Sequence, residues 1–186
     1  LHEHRFALLR KAYERSGISA NPDYQNFIRD NGWWLNDYAL FMALKTFFHD
    51  QPFRAWPEDI RMHWGFALEH YNRELYFDIE FQKYMQFKFN QQWSRLKAYA
   101  NGKHIQIVGD IPIYVSPDGA DVWAHPELFQ LDAHNAPTAI AGCPPDAFAE
   151  DGQAWGNPLY NWNFHRATDY AWWVSRMWYS FKLYDV

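Results

Sequence analysis

The chain of 186 residues predicts an α/β fold in which helices lead into short buried strands, and three observations carry that expectation. A strongly periodic segment from Asp78 to Ala100 is stopped by Asn101-Gly102 and followed at once by Ile105, Ile107 and Val108. That apolar run is too short for a helix and is of the kind that parallel sheets bury on both faces. A second helix, from Thr168-Asp169 to about Lys182, leads into Asp185-Val186 as the start of another strand. Between the two lies a long connection that no long helix or central strand can cross. Pro112, Pro117, Pro126, Pro137, Pro144, Pro145 and Pro158 each fix φ and remove a backbone donor. Helix, strand, long insertion, helix, strand is the order of a consecutive slice of a β/α barrel, and equally of a doubly wound open sheet.

The remaining elements follow in order. From Leu1 to about Arg15, the spacing of Phe6, Leu8, Leu9, Ala12 and Tyr13 places most of them on one face of a helix, which Ser16-Gly17 ends. A short helix is expected between Asn21 and Asp30, with Asn21 as N-cap and Pro22 in the first position, broken by Asn31-Gly32. Trp33 to Asp50 reads as a third helix, with Asn36 or Asp37 near its start, stopped by Gln51-Pro52. Trp56-Pro57-Glu58-Asp59-Ile60 is a helix entry, and the chain to Tyr76 mixes charge and aromatics as loop with short helices. In the helix from Asp78, which that residue is placed to cap, Phe81, Met85, Phe89, Gln92, Leu96 and Tyr99 keep three-or-four spacing. Tyr170, Trp173, Met177, Phe181 and Tyr184 form the face of the last helix.

Composition excludes several classes of function. The formal net charge is −5, with Lys and Arg scattered singly, so no basic stripe suits nucleic acid or an anionic membrane. A neutral ligand fits better. The one cysteine, Cys143, forbids an intramolecular disulfide and suits a reducing, cytoplasmic compartment. No apolar run is long enough to cross a bilayer, and no signal-peptide pattern opens the chain. The nine His lack metal-ligand spacing, so no metal is expected, and no Gly-rich phosphate loop follows a strand. Aromatics reach 20%, with 11 Trp, and serve either a packed core or the flat C–H faces of sugar rings. Leu1 at one end and Leu183-Tyr184-Asp185-Val186 at the other read as the limits of an excerpt from a longer protein.

Asp110 arrives at the carboxyl end of the Ile105–Val108 run. That is where α/β sheets and barrels meet ligands, although an Asp there also closes turns or caps helices, and position alone leaves both readings open. The insertion that follows carries too much apolar surface, Trp123, Phe129, Phe148, Trp155 and Tyr160 among it, to be disordered. It also offers eight carboxylates: Asp110, Asp118, Asp121, Glu127, Asp132, Asp146, Glu150 and Asp151. Most read as solvated or turn-forming groups.

Four stretches, G-D-I-P-I-Y-V, A-D-V-W-A-H-P-E-L-F-Q-L-D, G-C-P-P-D-A-F and G-Q-A-W-G-N-P-L-Y, occur in one order from Gly109 to Tyr160. In these the chain resembles the amylomaltases, 4-α-glucanotransferases of glycoside hydrolase family 77. The resemblance implies a partial (β/α)8 TIM barrel. Residues 1–77 would form a mostly helical insertion and 78–186 a barrel segment, within which 111–164 is a loop-rich insertion lining the active site. It implies transfer of α-1,4-glucan segments between maltooligosaccharides by a retaining double displacement, with no cofactor and with the remainder of the barrel as the missing partner. Such a mechanism takes two carboxyl groups about 5 Å apart. In the family these, with a third essential Asp, follow in segments beyond the position matching Val186, so no catalytic residue is expected here. By the same resemblance Asp110 helps hold the donor-side sugar and Trp155 stacks on the acceptor-side sugar. Gln153 and Asn157 would contact hydroxyls. Asp146, Phe148 and Glu150 would belong to a loop overhanging the acceptor side, Phe148 its apolar tip, and exclusion of water there favours transfer over hydrolysis. Two other readings are a non-catalytic glucan-binding module and a hydrolase of the wider α-amylase group; the G-C-P-P-D-A-F loop disfavours the second.

Overall fold

The computed structural model describes residues 2–186, with side chains from His4 onward. It is mostly helical and includes a two-stranded sheet. The chain forms two compact units, residues 1–50 with 65–104 and residues 51–64 with 105–186. The division falls elsewhere than at 77/78, because the long helix after residue 77 packs within the first unit.

The first unit holds α1 (His2–Ser16), α2 (Pro22–Phe47), α4 (Gly65–Glu74) and α5 (Tyr76–Asn101). Gly17 at φ 55 ends the first helix as expected, and Asn21 Oδ1 accepts from the N–H groups of Asp23 and Tyr24 to start the second. The expected break at Asn31-Gly32 does not occur, and α2 runs 26 residues through it. A glycine inside a helix costs only ~1 kcal/mol against alanine. Burial of Tyr24, Phe27 and Leu35 with Phe81, Tyr84 and Phe87 outweighs that cost. Asn31 turns its amide back to the Phe27 carbonyl and accepts from the Trp34 indole, staying within the helix. Asp78 is not the cap of α5, whose first residue is Tyr76. It sits in the first turn, where a carboxylate favours the dipole, and binds the Arg10 guanidinium. Arg10 also lies 4.2 Å over the Phe81 ring.

The second unit holds α3 (Glu58–Arg61), α6 (Ala120–Ala124), β1 (Ile140–Cys143), β2 (Gln153–Pro158), α7 (Trp162–Ala167) and α8 (Ala171–Leu183). Its core is built around Trp123, fully buried, whose indole N–H donates to the Ile60 carbonyl at 2.7 Å and whose ring meets Trp56 and His63 edge-on. The last helix begins at Ala171 rather than at Thr168-Asp169. Asp169 and Tyr170 both take positive φ, and the Asn161 side chain, accepting from Phe164 N–H, caps the separate short helix α7.

Ile105–Val108 forms neither helix nor sheet strand, and Val108 is 74% exposed. A strand exists only through its neighbours. Here the backbone bonds run from Asp185 and Val186 N–H to the Ile107 carbonyl and from Gly109 N–H to the Val186 carbonyl, with the Asp185 carboxylate accepting from Ile107 N–H at 2.8 Å. Asp185-Val186 therefore does lie beside the apolar run. A Cβ on Gly109 would enter the Tyr184 ring. Gly109→Ala is expected to lower stability by about 1–3 kcal/mol, the usual cost of overpacking, read as a lower urea midpoint with an unchanged m-value.

Candidate functional site

Of the residues proposed from sequence, Asp146, Phe148, Glu150, Gln153, Trp155 and Asn157 lie on one β-hairpin, and Asp110 lies outside it. β1 and β2 pair antiparallel, with Ile140 opposite Pro158, Gly142 opposite Ala154 and Cys143 opposite Gln153. From the first pair to the second, β2 advances four residues while β1 advances two, so Trp155, Gly156 and Asn157 bulge out of the ladder. Bulges of this kind re-aim side chains beside functional sites. Gly156 makes it possible with φ 79, a conformation side-chain-bearing residues rarely adopt. Gly142 permits the close pairing, since a Cβ there would strike the Gln153 carbonyl.

On the bulge, Trp155 stands 47% exposed and donates its indole N–H to Gln153 Oε1 at 3.0 Å. Tyr114 lies 6.2 Å from the Trp155 ring and stacks at 5.9 Å on Tyr160. Tyr160 is buried and donates its hydroxyl to the Ile113 carbonyl at 2.7 Å. Burial pushes its phenol up to about 12. Asn157 donates its amide to the Val115 carbonyl at 2.6 Å. These contacts tie β2 and Tyr160 to Ile113, Tyr114 and Val115, three to five residues past Asp110. Asp110 itself is exposed just past Gly109.

The hairpin's own tip carries the rest. Asp146 Oδ1 accepts from the N–H groups of Phe148 and Ala149, both at 2.8 Å, and Asp146 N–H donates to the Ala149 carbonyl. This tight turn makes Asp146 the organiser of the tip and leaves Phe148 97% exposed. Glu150 is exposed beside it. Three other carboxylates of the insertion hold local structure. Asp118 caps the turn at Phe53 through its N–H, Asp121 accepts from the Trp172 indole, and Asp132 accepts from His134 and Ala136 N–H. The Ala136 and His134 bonds to the ionised form hold the Asp132 carboxyl below its ordinary value.

Sequence reasoning missed the aromatic cluster behind the hairpin. Ile113, Tyr114, Gln130, Leu159, Tyr160, Trp162 and Trp173 line an open cleft of about 510 Å³. At its back His165 is fully buried. A carbonyl only accepts, so His165 Nε2, 3.1 Å from the Leu128 carbonyl, carries the ring proton, and Nδ1 has no hydrogen-bond partner. Burial holds this imidazole below its ordinary 6.5. Between that folded value and 6.5 only the unfolded chain binds the proton. Stability is therefore full above pH ~6.5 and falls as pH drops below it. Acid titration of the urea midpoint is expected to show this loss, and His165→Gln is expected to flatten it. Among the described residues no group of His, Cys, Asp and Glu is placed to hold a metal ion, and no helix is long and apolar enough to cross a membrane.

A family model described as 4-alpha-glucanotransferase, of glycoside hydrolase family 77, matches residues 1–186. The 4-alpha-glucanotransferase of Clostridium butyricum is 44% identical over 183 residues, covering 98% of this chain and 38% of that protein. The Thermus thermophilus 4-alpha-glucanotransferase is 39% identical over 190 residues, covering all of this chain and 38% of the relative. In structure, the chain superposes on an amylomaltase from Streptococcus agalactiae in complex with acarbose with a TM-score of 0.94 at 41% identity, over all of this chain and 38% of that one. The chain thus spans little more than a third of the length of these relatives. With a match along its whole length and close agreement in fold, this chain belongs to the 4-alpha-glucanotransferase family.

Proposed function

We propose that these residues form one wall of the sugar site of a 4-α-glucanotransferase, in which the hairpin presents Trp155 to the acceptor-side sugar and Asp110 faces the donor side. The observation that carries this reading is the half-exposed Trp155 indole, lifted from its strand by a bulge and fixed by Gln153 and Tyr114. A neutral sugar offers an apolar C–H face to such a ring and hydroxyls to amides around it. The acarbose held by the Streptococcus agalactiae amylomaltase supports a ligand of this kind. The whole protein would move α-1,4-glucan segments between maltooligosaccharides by double displacement, without a cofactor, in the cytoplasm, within starch and glycogen metabolism.

The catalytic carboxylates of this reading lie beyond residues 1–186, on further strands of a (β/α)8 barrel to which Ile105–Val108 and Asp185-Val186 would contribute adjacent strands. Asp146 builds the overhanging loop, and Phe148 and Glu150 are its outward groups, placed to exclude water from the glycosyl intermediate and to meet the acceptor. Asn157 holds β2 against Val115 and so sets where Trp155 stands. The test is disproportionation of maltotriose, followed as released glucose and longer maltodextrins, by this chain beside a polypeptide extended through the rest of its reading frame. Activity in the extended polypeptide alone is the expected result. Activity in neither, with maltodextrin still retained, would replace this reading by a binding module, and activity in the chain alone would place the carboxylates within it.

A further inference from the structure

We propose that Gln153 is a positioning residue for Trp155, its side-chain oxygen holding the indole in one orientation. The inference rests on the reading of Trp155 as a sugar platform and adds how that platform is held. An indole N–H donates and never accepts, so the atom of Gln153 that lies 3.0 Å from Trp155 Nε1 is the carbonyl oxygen. The orientation of the side-chain amide is then settled, with both N–H donors pointing away from the indole. Gln153 and Trp155 are two apart on β2, where alternate side chains share a face.

Trp155 needs such a restraint. It stands on a three-residue bulge beside Gly156, outside the pairing that would otherwise order it. Its ring is half-exposed and touches Tyr114 at a tilt of 58° rather than lying flat in a packed layer. Tyr114 backs it from one side and the Gln153 bond fixes rotation about its long axis. Without the bond the indole samples other rotamers, and a sugar that stacks on it must first pay for freezing it.

Gln153→Leu removes the acceptor of the indole N–H, whereas Gln153→Glu keeps one, since a carboxylate still accepts from the indole. Both are made in the complete polypeptide labelled with 5-fluorotryptophan, with the Trp155 resonance assigned by Trp155→Phe. Gln153→Leu is expected to shift and broaden that ¹⁹F resonance and to raise the acceptor KM for glucose about tenfold, with kcat within about twofold. Gln153→Glu is expected to keep the resonance in place and to raise the acceptor KM by less. An unchanged Trp155 resonance in Gln153→Leu would overturn the positioning role, as would identical resonance and KM changes in the two variants. The platform reading fails separately: if Trp155→Ala leaves the acceptor KM unchanged, Trp155 does not stack on the acceptor, whatever the resonance shows.

Discussion

Tyr160→Ala is expected to cost about 3–5 kcal/mol of stability, the range for emptying a large aromatic from a packed interior. Tyr160 is 2% exposed and its ring meets Tyr114, Phe129, Trp162, His165, Trp172 and Trp173. Alanine would leave a cavity among rings that cannot follow it inward, and would strand the Ile113 carbonyl that the hydroxyl now satisfies. Tyr160→Phe isolates the second effect, with an expected loss of about 1 kcal/mol for one hydrogen bond. Urea unfolding of the two variants beside the parent checks both figures. A change below ~1 kcal/mol for Tyr160→Ala would mean that this cluster is not a core. Because Tyr114 stacks on Tyr160 and lies tilted against Trp155, the alanine variant is also expected to loosen the proposed sugar platform.

Trp155→Ala is expected to do the reverse: little to stability and much to the acceptor. A side chain already half in solvent contributes little burial, so the unfolding midpoint should move by less than ~0.5 kcal/mol. Loss of a stacking face should weaken acceptor use ten- to a hundred-fold, about 1.4–2.8 kcal/mol at 1.4 kcal/mol per decade. The effect should fall on the acceptor KM in the complete polypeptide, with kcat at saturating acceptor changed far less. Equal losses in kcat and in kcat/KM would instead place Trp155 among interactions made only in the transition state.

Much of the helical unit was legible because local chemistry decided it. Asn21-Pro22 is a self-contained start signal, and the bonds it makes are the ones its side chain dictates. Asn31-Gly32 misled for the opposite reason: it is a local break signal overridden by burial against α5, which no window of α2 displays. Asp78 looked like a cap by type, yet its partner, Arg10, is 68 residues away. The Ile105–Val108 run was recognisable as apolar and too short for a helix. Whether it forms a strand depends on neighbours, and in this chain Asp185 and Val186 supply only a short ladder.

The site divides in the same way. Trp155, Gln153 and Asn157 were singled out by their motif, which carries no information on how they are held. The bulge that lifts Trp155 is a register shift between two strands and becomes visible only when both are paired. Asp146 was grouped with ligand-binding residues, while its carboxylate bonds to Phe148 and Ala149 N–H give it a turn-forming task. The turn was foreshadowed in the sequence, where Asp next to Pro, as at Pro145-Asp146, reads as turn-forming. His165 carried no signal at all, being one of nine His and buried only because Tyr160 and Leu128 close around it.

The most direct test of the account follows carbon from a labelled acceptor. With ¹⁴C-glucose and unlabelled maltotriose, the complete polypeptide should place label in maltose and longer maltodextrins, and Trp155→Ala should suppress that incorporation more than it suppresses maltotriose consumption. If maltotriose is consumed while the label stays in glucose in the parent protein, the enzyme hydrolyses rather than transfers, and the wall built around Trp155 is not an acceptor site.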